Sequence, residues 1–311
     1  MKGCSGVADD AAFAFLEGIQ ALDMSGCREL SNAAISHLRG ISHINISYCR
    51  QLTGAALGYL EGVKTLTMRS LRLPDADLEL LGGSVQILDI SGCTQITGAA
   101  FDSLSNLDTL LFKEAGGWYR NFSLENFLFL AGRLRKLDLS CCEQLTDAAF
   151  EHFKGIKILN ISGCSQPEVT GAAFANLRGI EKLNMRDCVH ISGAAFRHLE
   201  GVQYLNISGC NQPSIDDAAF AHLKGIRELQ MAGCSQPTIT SAAFSHLAGI
   251  EWLGMRRCNQ SSIANSAFSY LVGVKRLDMG GCLLRAQRAA RMLGLPVTTT
   301  PFEPVWRPWF Y

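Results

Sequence analysis

Cysteines are the residues of this chain whose chemistry and spacing stand out first. Seven of the twelve follow one another at intervals of 22, 24, 22, 24, 24 and 24 residues, namely Cys142, Cys164, Cys188, Cys210, Cys234, Cys258 and Cys282. Thiolates bind zinc, but a zinc site needs four ligands that converge on one ion, usually from close sequence pairs. A column at this spacing does not converge. We therefore predict no metal site and a buried structural role, in which each thiol is a small filler and weak hydrogen-bond donor.

One thiol departs from this column. Cys141 directly precedes Cys142, at a position where other repeats have glycine. We predict that Cys141 faces outward. A thiol-labelling reagent distinguishes an exposed thiol from the buried ones.

Histidines and carboxylates could in principle do acid–base chemistry. Five histidines each lie one residue before the Leu or Phe that closes a predicted helix: His37, His152, His198, His222 and His246. Neighbouring helices pack about 8–10 Å apart, too far for routine shared ligation, so a favourable place near helix C-termini explains them. Asp89 and Asp138, the closest carboxylates of the predicted sheet, are separated by two strands and by Leu111. We predict no catalytic, cofactor-binding or metal-binding residue, and hence no enzyme.

The elements that position these residues repeat along the chain. Two repeats read LNISGCSQPEVTGAAFANLRGIEK from Leu159 and LNISGCNQPSIDDAAFAHLKGIRE from Leu205. The alternation of apolar and polar residues at the start predicts a short strand with one buried face. A Thr or Asp follows that can cap a helix, at Thr97, Thr170, Asp216 and Thr240. The helix then ends at a glycine suited to a left-handed stop, at Gly179, Gly201, Gly225 and Gly249.

A unit of one strand and one short helix cannot bury its own apolar side, so successive units must stack. The pattern predicts an α/β fold, a right-handed β–α solenoid over residues 1–297. It has about 12 coils, a parallel sheet on the concave face and short helices on the convex face. Two coils are irregular, near 66–88 and 110–137. In the first, Leu71 replaces the cysteine and the helix shifts by one residue; in the second, GGWYRN adds residues before the helix.

The two ends of the chain differ from the repeats. Residues 298–311 form an aromatic tail that we predict to be a cap, although a detachable peptide motif is the alternative. The first coil starts at Cys4 with no strand before it. An uncapped solenoid end exposes core residues. We therefore expect either a longer protein or a larger assembly joined at this end.

The run LDLSCCEQLTDAAF from Leu137, with its relatives along the chain, resembles the cysteine-containing leucine-rich repeats. Proteins of that family are commonly substrate-recognition subunits of ubiquitin ligases, in which an F-box module precedes the repeats. The TGAAF segments are also similar to repeats of GALA-type bacterial effectors that imitate such subunits. The resemblance implies recognition of a protein partner, and we expect no F-box module within the printed sequence.

Candidate binding residues are those that break the small-residue pattern of the concave face. Tyr, Trp and Arg carry most interface energy, and the C-terminal half has eight such breaks: Lys182, Arg186, Tyr204, Glu228, Trp252, Arg256, Arg257 and Arg276. The alternative is that Trp252 only covers neighbouring side chains. Trp118, Tyr119 and Arg120 lie at the tip of the inserted loop. Loops on rigid scaffolds often carry function, but these rings could also seal the irregular coil.

Composition and charge exclude several classes of protein. The chain has 28 basic and 28 acidic residues, without the basic excess of a nucleic-acid binder. Residues 1–155 hold 13 basic and 18 acidic side chains and residues 156–311 hold 15 and 10, a dipole that can orient an encounter. No apolar run approaches the about 20 residues of a membrane helix, and MKGCSGVADD lacks the features of a secretion signal. We expect an intracellular protein, cytoplasmic or nuclear, with reduced thiols and no cofactor.

The first functional hypothesis is therefore a non-catalytic scaffold that recognises a partner protein on its concave face. Twelve strands would give a face on the order of 55 Å long, enough for a standard interface. The narrower form of this hypothesis is an adaptor that recognises substrates for ubiquitination. Alternatives are a structural subunit of a larger assembly and, with least support from the sequence, an enzyme.

Overall fold

The computed structural model describes residues 2–3, 10–113 and 122–299. The chain divides into two compact units, Met1–Leu139 and Ser140–Tyr311. The first unit has β1 (Ala21–Asp23), β2 (His43–Asn45), β3 (Thr65–Thr67), β4 (Ile87–Asp89), β5 (Thr109–Leu111) and β6 (Lys136–Asp138). The second has β7 (Ile158–Asn160), β8 (Lys182–Asn184), β9 (Tyr204–Asn206), β10 (Glu228–Gln230), β11 (Trp252–Gly254), β12 (Arg276–Asp278) and β13 (Val297–Thr298).

Within each unit, every strand pairs in parallel with the strand of the next coil. Leu159 is opposite Leu183, and Leu183 is opposite Leu205, so these three leucines stand on consecutive parallel strands. In the first unit the same column runs from Leu22 through Ile44 and Leu66. The predicted α/β solenoid of strand-and-helix coils is confirmed.

The strand count and the boundaries differ from the prediction in two places. The described residues hold thirteen strands where twelve were predicted, because Leu295 and Pro296 lead the chain back to the sheet edge and Val297 pairs with Leu277. The boundary predicted between residues 297 and 298 therefore falls inside β13. The division into two units after Leu139 was also not predicted; it directly follows the irregular coil at 110–137.

Short helices complete the coils. The α-helices are α1 (Asn32–Ser36), α2 (Ala55–Gly58), α3 (Asp75–Leu78), α4 (Asp217–Phe220), α5 (Ser241–Ser245) and α6 (Leu284–Met292). The 3-10 helices are Asp10–Leu16, Glu79–Ser84, Phe101–Ser103, Leu124–Leu130, Asp147–Phe153, Gly171–Leu177, Gly193–His198, Ala221–Leu223 and Asn265–Leu271. Because residues three apart share a face in a 3-10 helix, Phe174 and Leu177 of the AAF-x-x-L pattern are both buried.

The predicted helix signals are confirmed in the second unit. Thr170 Oγ1 accepts the Ala172 N–H at 3.2 Å, and an Asp216 carboxylate oxygen accepts the Ala219 N–H at 3.0 Å. Gly179 has φ +81°, the left-handed conformation that glycine adopts without steric cost. Each helix is thus started by a side-chain cap and stopped by a glycine within a few residues, which keeps it short.

The core of each unit is a stack of leucine and phenylalanine layers. In the second unit Phe150 packs on Phe174 with ring centroids 6.3 Å apart, and Phe244 on Phe268 at 6.1 Å. In the first unit the irregular coil is filled by Phe122, whose ring centroid lies 4.1 Å from that of Phe112 and which is almost fully buried. Burying one such ring stabilises a fold by roughly 1.5–3 kcal/mol.

The cysteine column is buried and hydrogen-bonded. Cys210 Sγ donates to the Met185 carbonyl at 3.1 Å, Cys93 Sγ to the Met68 carbonyl at 3.0 Å, and Cys282 Sγ to the Met255 carbonyl at 2.8 Å. Burial raises the pKa of the Cys93 thiol to about 12, which keeps the donor protonated. The predicted filler and donor role is confirmed, and so is the outward position of Cys141, which is exposed.

A second ladder was not predicted from the sequence. Each 24-residue coil has a glutamine two positions after its cysteine: Gln166, Gln212, Gln236 and Gln260. Gln212 Nε2 donates to the carbonyls of Cys188 and Ile191, at 2.8 and 2.7 Å, in the preceding coil. Gln166 Nε2 donates in the same way to Cys142 and Leu145, at 2.9 and 2.8 Å. The glutamine thus satisfies backbone groups that the longer loop leaves without a strand or helix partner.

The last residue of most strands caps the turn that follows. Asn206 Oδ1 accepts the Ser208 N–H at 2.9 Å, and Asp278 Oδ1 accepts the Gly280 N–H at 3.0 Å. Both side chains are buried. This column of Asp and Asn side chains, expected on the open surface, therefore serves the backbone.

Candidate functional site

The candidate binding residues of the second unit form rows across neighbouring strands. We use the term sheet face for the surface made by the first and third residues of these strands and by the two residues after each middle leucine's partner turn. Lys182 is opposite Tyr204, Tyr204 is opposite Glu228, Glu228 is opposite Trp252, and Trp252 is opposite Arg276. The structure brings these five together in one row over β8–β12.

Burial varies along this row. Arg276 is exposed, whereas Lys182, Glu228 and Trp252 are half-buried. Tyr204 is only 5% exposed, which corrects the expectation that it presents a binding surface. The long side chains of Lys182 and Glu228 stand on either side of it, and burial, with the nearby Glu228 carboxylate, raises the pKa of the Tyr204 phenol. Tyr204 therefore supports the row from below.

The three other predicted residues follow the strands. Arg186 is exposed and its Nε donates to Asp187 Oδ2 at 3.0 Å. Arg256 Nη1 lies 3.1 and 3.2 Å from the two carboxylate oxygens of Asp278 on the next coil. Arg257 is exposed and has φ 56°, at a position where several coils have glycine. A left-handed backbone costs a non-glycine residue about 1–2 kcal/mol.

A shallow hollow of about 280 Å³ lies among these side chains. Its charged and aromatic lining consists of Arg186, Asp187, Trp252, Arg256, Arg257 and Asp278. Small residues lie between the arginines, namely Ser208, Gly209, Ala232 and Gly233. We call this the Trp252 hollow. Four of the eight residues predicted in this unit line it, so the structure joins a tryptophan and three arginines around a floor with little side-chain bulk.

Gln230 also lines the Trp252 hollow, and sequence reasoning missed its role. Its Nε2 atom is buried and has no hydrogen-bond partner among the described residues. A Cβ atom on Gly254 would lie 2.1 Å from Gln230 Oε1, so the glutamine side chain extends over the bare backbone of β11. A cross-strand Gln beside a Gly is the sequence signal, visible once the register is known.

A larger hollow, of about 1140 Å³, lies in the first unit and was not predicted. It borders the irregular coil, and its lining includes Arg50, Ser70, Arg72, Asp77 and Gln95. The sequence signal is the replacement of cysteine by Leu71 with the earlier helix α3. The polar groups that line it come from loops that follow the strands, not from a strand row, and it contains none of the predicted binding residues.

Trp118, Tyr119 and Arg120 lie outside the described residues, as do Cys4 and residues 300–311. Their predicted roles stay predictions.

The predicted separation of carboxylates is confirmed by register. Asp89 is opposite Leu111, and Leu111 is opposite Asp138. Among residues 2–3, 10–113 and 122–299, no group of three or more His, Cys, Asp or Glu side chains could hold a metal ion. In the same ranges no helix combines the length and the apolar character needed to cross a membrane.

Stacked coils of one parallel strand and one short helix, closed by a leucine, phenylalanine and cysteine core, define a leucine-rich-repeat protein. The chain matches the family model described as BspA type leucine rich repeat region in six copies, over residues 84–202 and 189–280. These ranges span more than half of the chain, which therefore belongs to the BspA-type leucine-rich-repeat family. No curated protein matches the chain.

Several solved structures share the fold. A chain of the TLR13–ssRNA13 complex superposes with a TM-score of 0.64 at 19% identity, over 91% of this chain and 42% of that chain. A chain of the Toll–Spatzle complex of Drosophila gives 0.61 at 15% identity, over 89% and 43%. A chain of the yeast Rad7–Elc1 complex gives 0.52 at 17% identity, over 93% and 83%. The present chain spans less than half the length of the first two, and identities this low establish the fold alone.

Proposed function

We propose that this chain is a non-catalytic scaffold that binds a partner protein through the sheet face of its second unit. The observation that carries the proposal is the Trp252 hollow, where a half-buried tryptophan stands among three arginines on a solvent-facing sheet. Tryptophan and arginine are the residues most often responsible for interface energy. Solved complexes of similar fold, those of Toll with Spatzle and of Rad7 with Elc1, pair the repeat protein with a protein partner.

Replacing Trp252 and Arg256 together by Ala tests the proposal. We expect the double variant to lose most of a partner that the wild-type chain retains in affinity purification, while its circular dichroism is unchanged. The matched control is Arg69→Ala in the first unit, because Arg69 Nε pairs with Asp89 at 2.5 Å much as Arg256 pairs with Asp278. Undiminished capture by the double variant removes this face from consideration.

The ligand class needs its own control. One similar structure is a complex with a single-stranded RNA, whereas this chain has equal numbers of basic and acidic residues. We propose a protein ligand, and treatment of the lysate with nuclease should leave the capture unchanged. Loss of capture after nuclease treatment would favour RNA.

A narrower role, recognition of substrates for a ubiquitin ligase inside the cell, rests on the resemblance of the repeats and on thiols suited to a reducing compartment. Its test is the identity of the captured proteins. Ligase subunits that co-purify with wild type and with Arg69→Ala, and substrates that disappear in the Trp252→Ala, Arg256→Ala variant, would support it. Capture that contains no ligase subunit would contradict it.

A second candidate function is a permanent subunit of a larger assembly. Two apolar side chains near the ends of the described chain favour it, since Phe15 is 91% exposed and Met292 is 87% exposed. Size-exclusion chromatography with light scattering decides between the two functions. A stable monomer supports the scaffold that binds and releases its partner, and an oligomer or aggregate supports the permanent subunit.

A further inference from the structure

We infer that the Trp252 hollow receives an acidic side chain, Asp or Glu, of the partner protein. This inference rests on the proposed function and specifies the chemistry of its ligand. Three features of the hollow carry it: a buried donor without an acceptor, the balance of charge, and the size of the space.

The first feature is the side-chain nitrogen of Gln230. It is buried at the hollow and lacks a hydrogen-bond partner among the described residues. A buried donor without a partner is unfavourable, and native structures rarely keep one unless a ligand or water satisfies it. The hollow therefore offers a hydrogen bond to an acceptor atom that arrives from outside.

The position of Gln230 is fixed by its neighbour on the next strand. Gly254 is the residue opposite Gln230 in the register of β10 and β11, and its missing Cβ leaves the space in which the amide lies. The same arrangement recurs one strand further, where a Cβ on Gly280 would lie 2.6 Å from the Arg256 guanidinium carbon. Two glycines thus allow a neutral donor and a charged donor to extend over bare backbone, side by side.

The second feature is charge. The lining contains three arginines, Arg186, Arg256 and Arg257, against two carboxylates, Asp187 and Asp278, which gives 3 − 2 = +1. Both carboxylates already accept from arginines, and Asp278 also accepts the Gly280 N–H. Adding the nearby row of Lys182, Glu228 and Arg276 raises the balance to 5 − 3 = +2. A negatively charged acceptor complements this surface, and guanidinium groups bind carboxylates strongly.

The third feature is size. At about 280 Å³ the hollow lies just below the range of small-molecule pockets, about 300–1,000 Å³. It is also shallow and open to the sheet face. A single side chain fits this space, while the flanking residues of the ligand would contact the Trp252 indole. The ligand is therefore an acidic residue within a protein segment.

Peptide selection on the intact chain tests this inference. We would select binders from a phage-displayed library of random dodecapeptides on the immobilised full-length protein, then synthesise them with amidated C-termini so that side chains are the only carboxylates. We expect the selected peptides to contain Asp or Glu. Exchanging that residue for Asn or Gln should weaken binding about tenfold or more in fluorescence anisotropy, the effect of losing one charge-assisted hydrogen bond.

Variants of the protein locate the carboxylate. Gln230→Met keeps the size of the side chain but removes its donor, and Gly254→Ala displaces the amide. We expect either variant to weaken the acidic peptide severalfold and to leave its Gln counterpart unaffected. Arg69→Ala, on the first unit, should bind like wild type. Circular dichroism and melting temperature confirm that each variant is folded.

The outcomes separate this inference from the proposed function. Peptides that lose binding to the Trp252→Ala, Arg256→Ala variant but bind equally well with Gln in place of Glu overturn the inference and leave the proposed function standing. Acidic peptides whose affinity ignores Gln230→Met and Gly254→Ala also overturn it. If no selected peptide depends on Trp252 and Arg256, both the inference and the proposed function are contradicted.

Discussion

The carboxylate of Asp217 joins two coils of the second unit by accepting two hydrogen bonds from Thr240. Oδ1 accepts the Thr240 backbone N–H at 2.7 Å and Oδ2 accepts its hydroxyl at 2.6 Å. Thr240 Oγ1 in turn accepts the Ala242 N–H at 3.1 Å at the start of α5. Asp75 holds Thr97 in the same way in the first unit, with distances of 2.9 and 2.7 Å. An aspartate of one coil thus fixes the helix cap of the next.

Loss of this clamp should destabilise the protein. We expect Asp217→Ala to lower the free energy of unfolding by about 1–3 kcal/mol, because it leaves a backbone N–H and a hydroxyl without their acceptor. Urea denaturation followed by circular dichroism measures the change. The control is Asp102→Ala, an exposed carboxylate on a first-unit helix, which should change stability by less than about 0.5 kcal/mol. Equal effects of the two variants would argue against the clamp.

Thiol labelling should report the difference between Cys141 and the buried column. Cys141 is exposed, whereas the other ten cysteines among the described residues are buried. In a Cys4→Ser background, we expect a maleimide to modify one thiol per folded molecule at neutral pH, and none after Cys141→Ser. Mass spectrometry counts the adducts. Modification of several thiols in the folded protein would contradict the buried, hydrogen-bonded column.

Alkaline pH should destabilise the fold through the same column. Burial raises the pKa of Cys49 to about 11 and that of Cys93 to about 12, both from an ordinary value of 9.0. Above pH 9 the unfolded chain releases these protons while the folded chain keeps them, so the free energy of unfolding falls as pH rises from 9 towards 11. Each thiol contributes up to about 1.4 kcal/mol per pH unit.

Melting curves between pH 7 and pH 11 measure this loss. The Cys93→Ala variant is less stable than wild type at pH 7, because it loses a buried hydrogen bond and leaves a small cavity. Its stability should nevertheless decline less steeply above pH 9. Parallel pH profiles for the two proteins would show that the Cys93 thiol stays protonated in the unfolded chain too, against this prediction.

Removing the aromatic tail tests the predicted cap. Residues 300–311 lie outside the described residues, and they follow a helix whose Leu284 and Met292 are 69% and 87% exposed. We expect deletion of residues 300–311 to lower the melting temperature by several degrees, because apolar surface at the end of the solenoid would lose its cover. Differential scanning fluorimetry measures the shift. An unchanged melting temperature would favour the alternative of a detachable peptide motif.

Local sequence signals determined the repeat and the rows of the candidate site. Leu159, Leu183 and Leu205 could be assigned to one column because the coil length equals their spacing, and a coil cannot bury its apolar side alone. The same spacing places Glu228 beside Trp252. The caps at Thr170 and Thr240 and the stop at Gly179 act within four residues, so their outcome depends on no distant contact.

Only the tertiary structure decided what each row presents to a partner. Tyr204 became buried because Lys182 and Glu228, 22 and 24 residues away in sequence, stand beside it. The unpartnered nitrogen of Gln230 depends on the missing Cβ of Gly254, also 24 residues away. Neighbouring strands bring such residues to about 4.8 Å, where the size of one side chain sets the exposure of the next. A repeat pattern fixes which residues are neighbours, but burial and hydrogen bonding depend on how all the neighbouring side chains pack together.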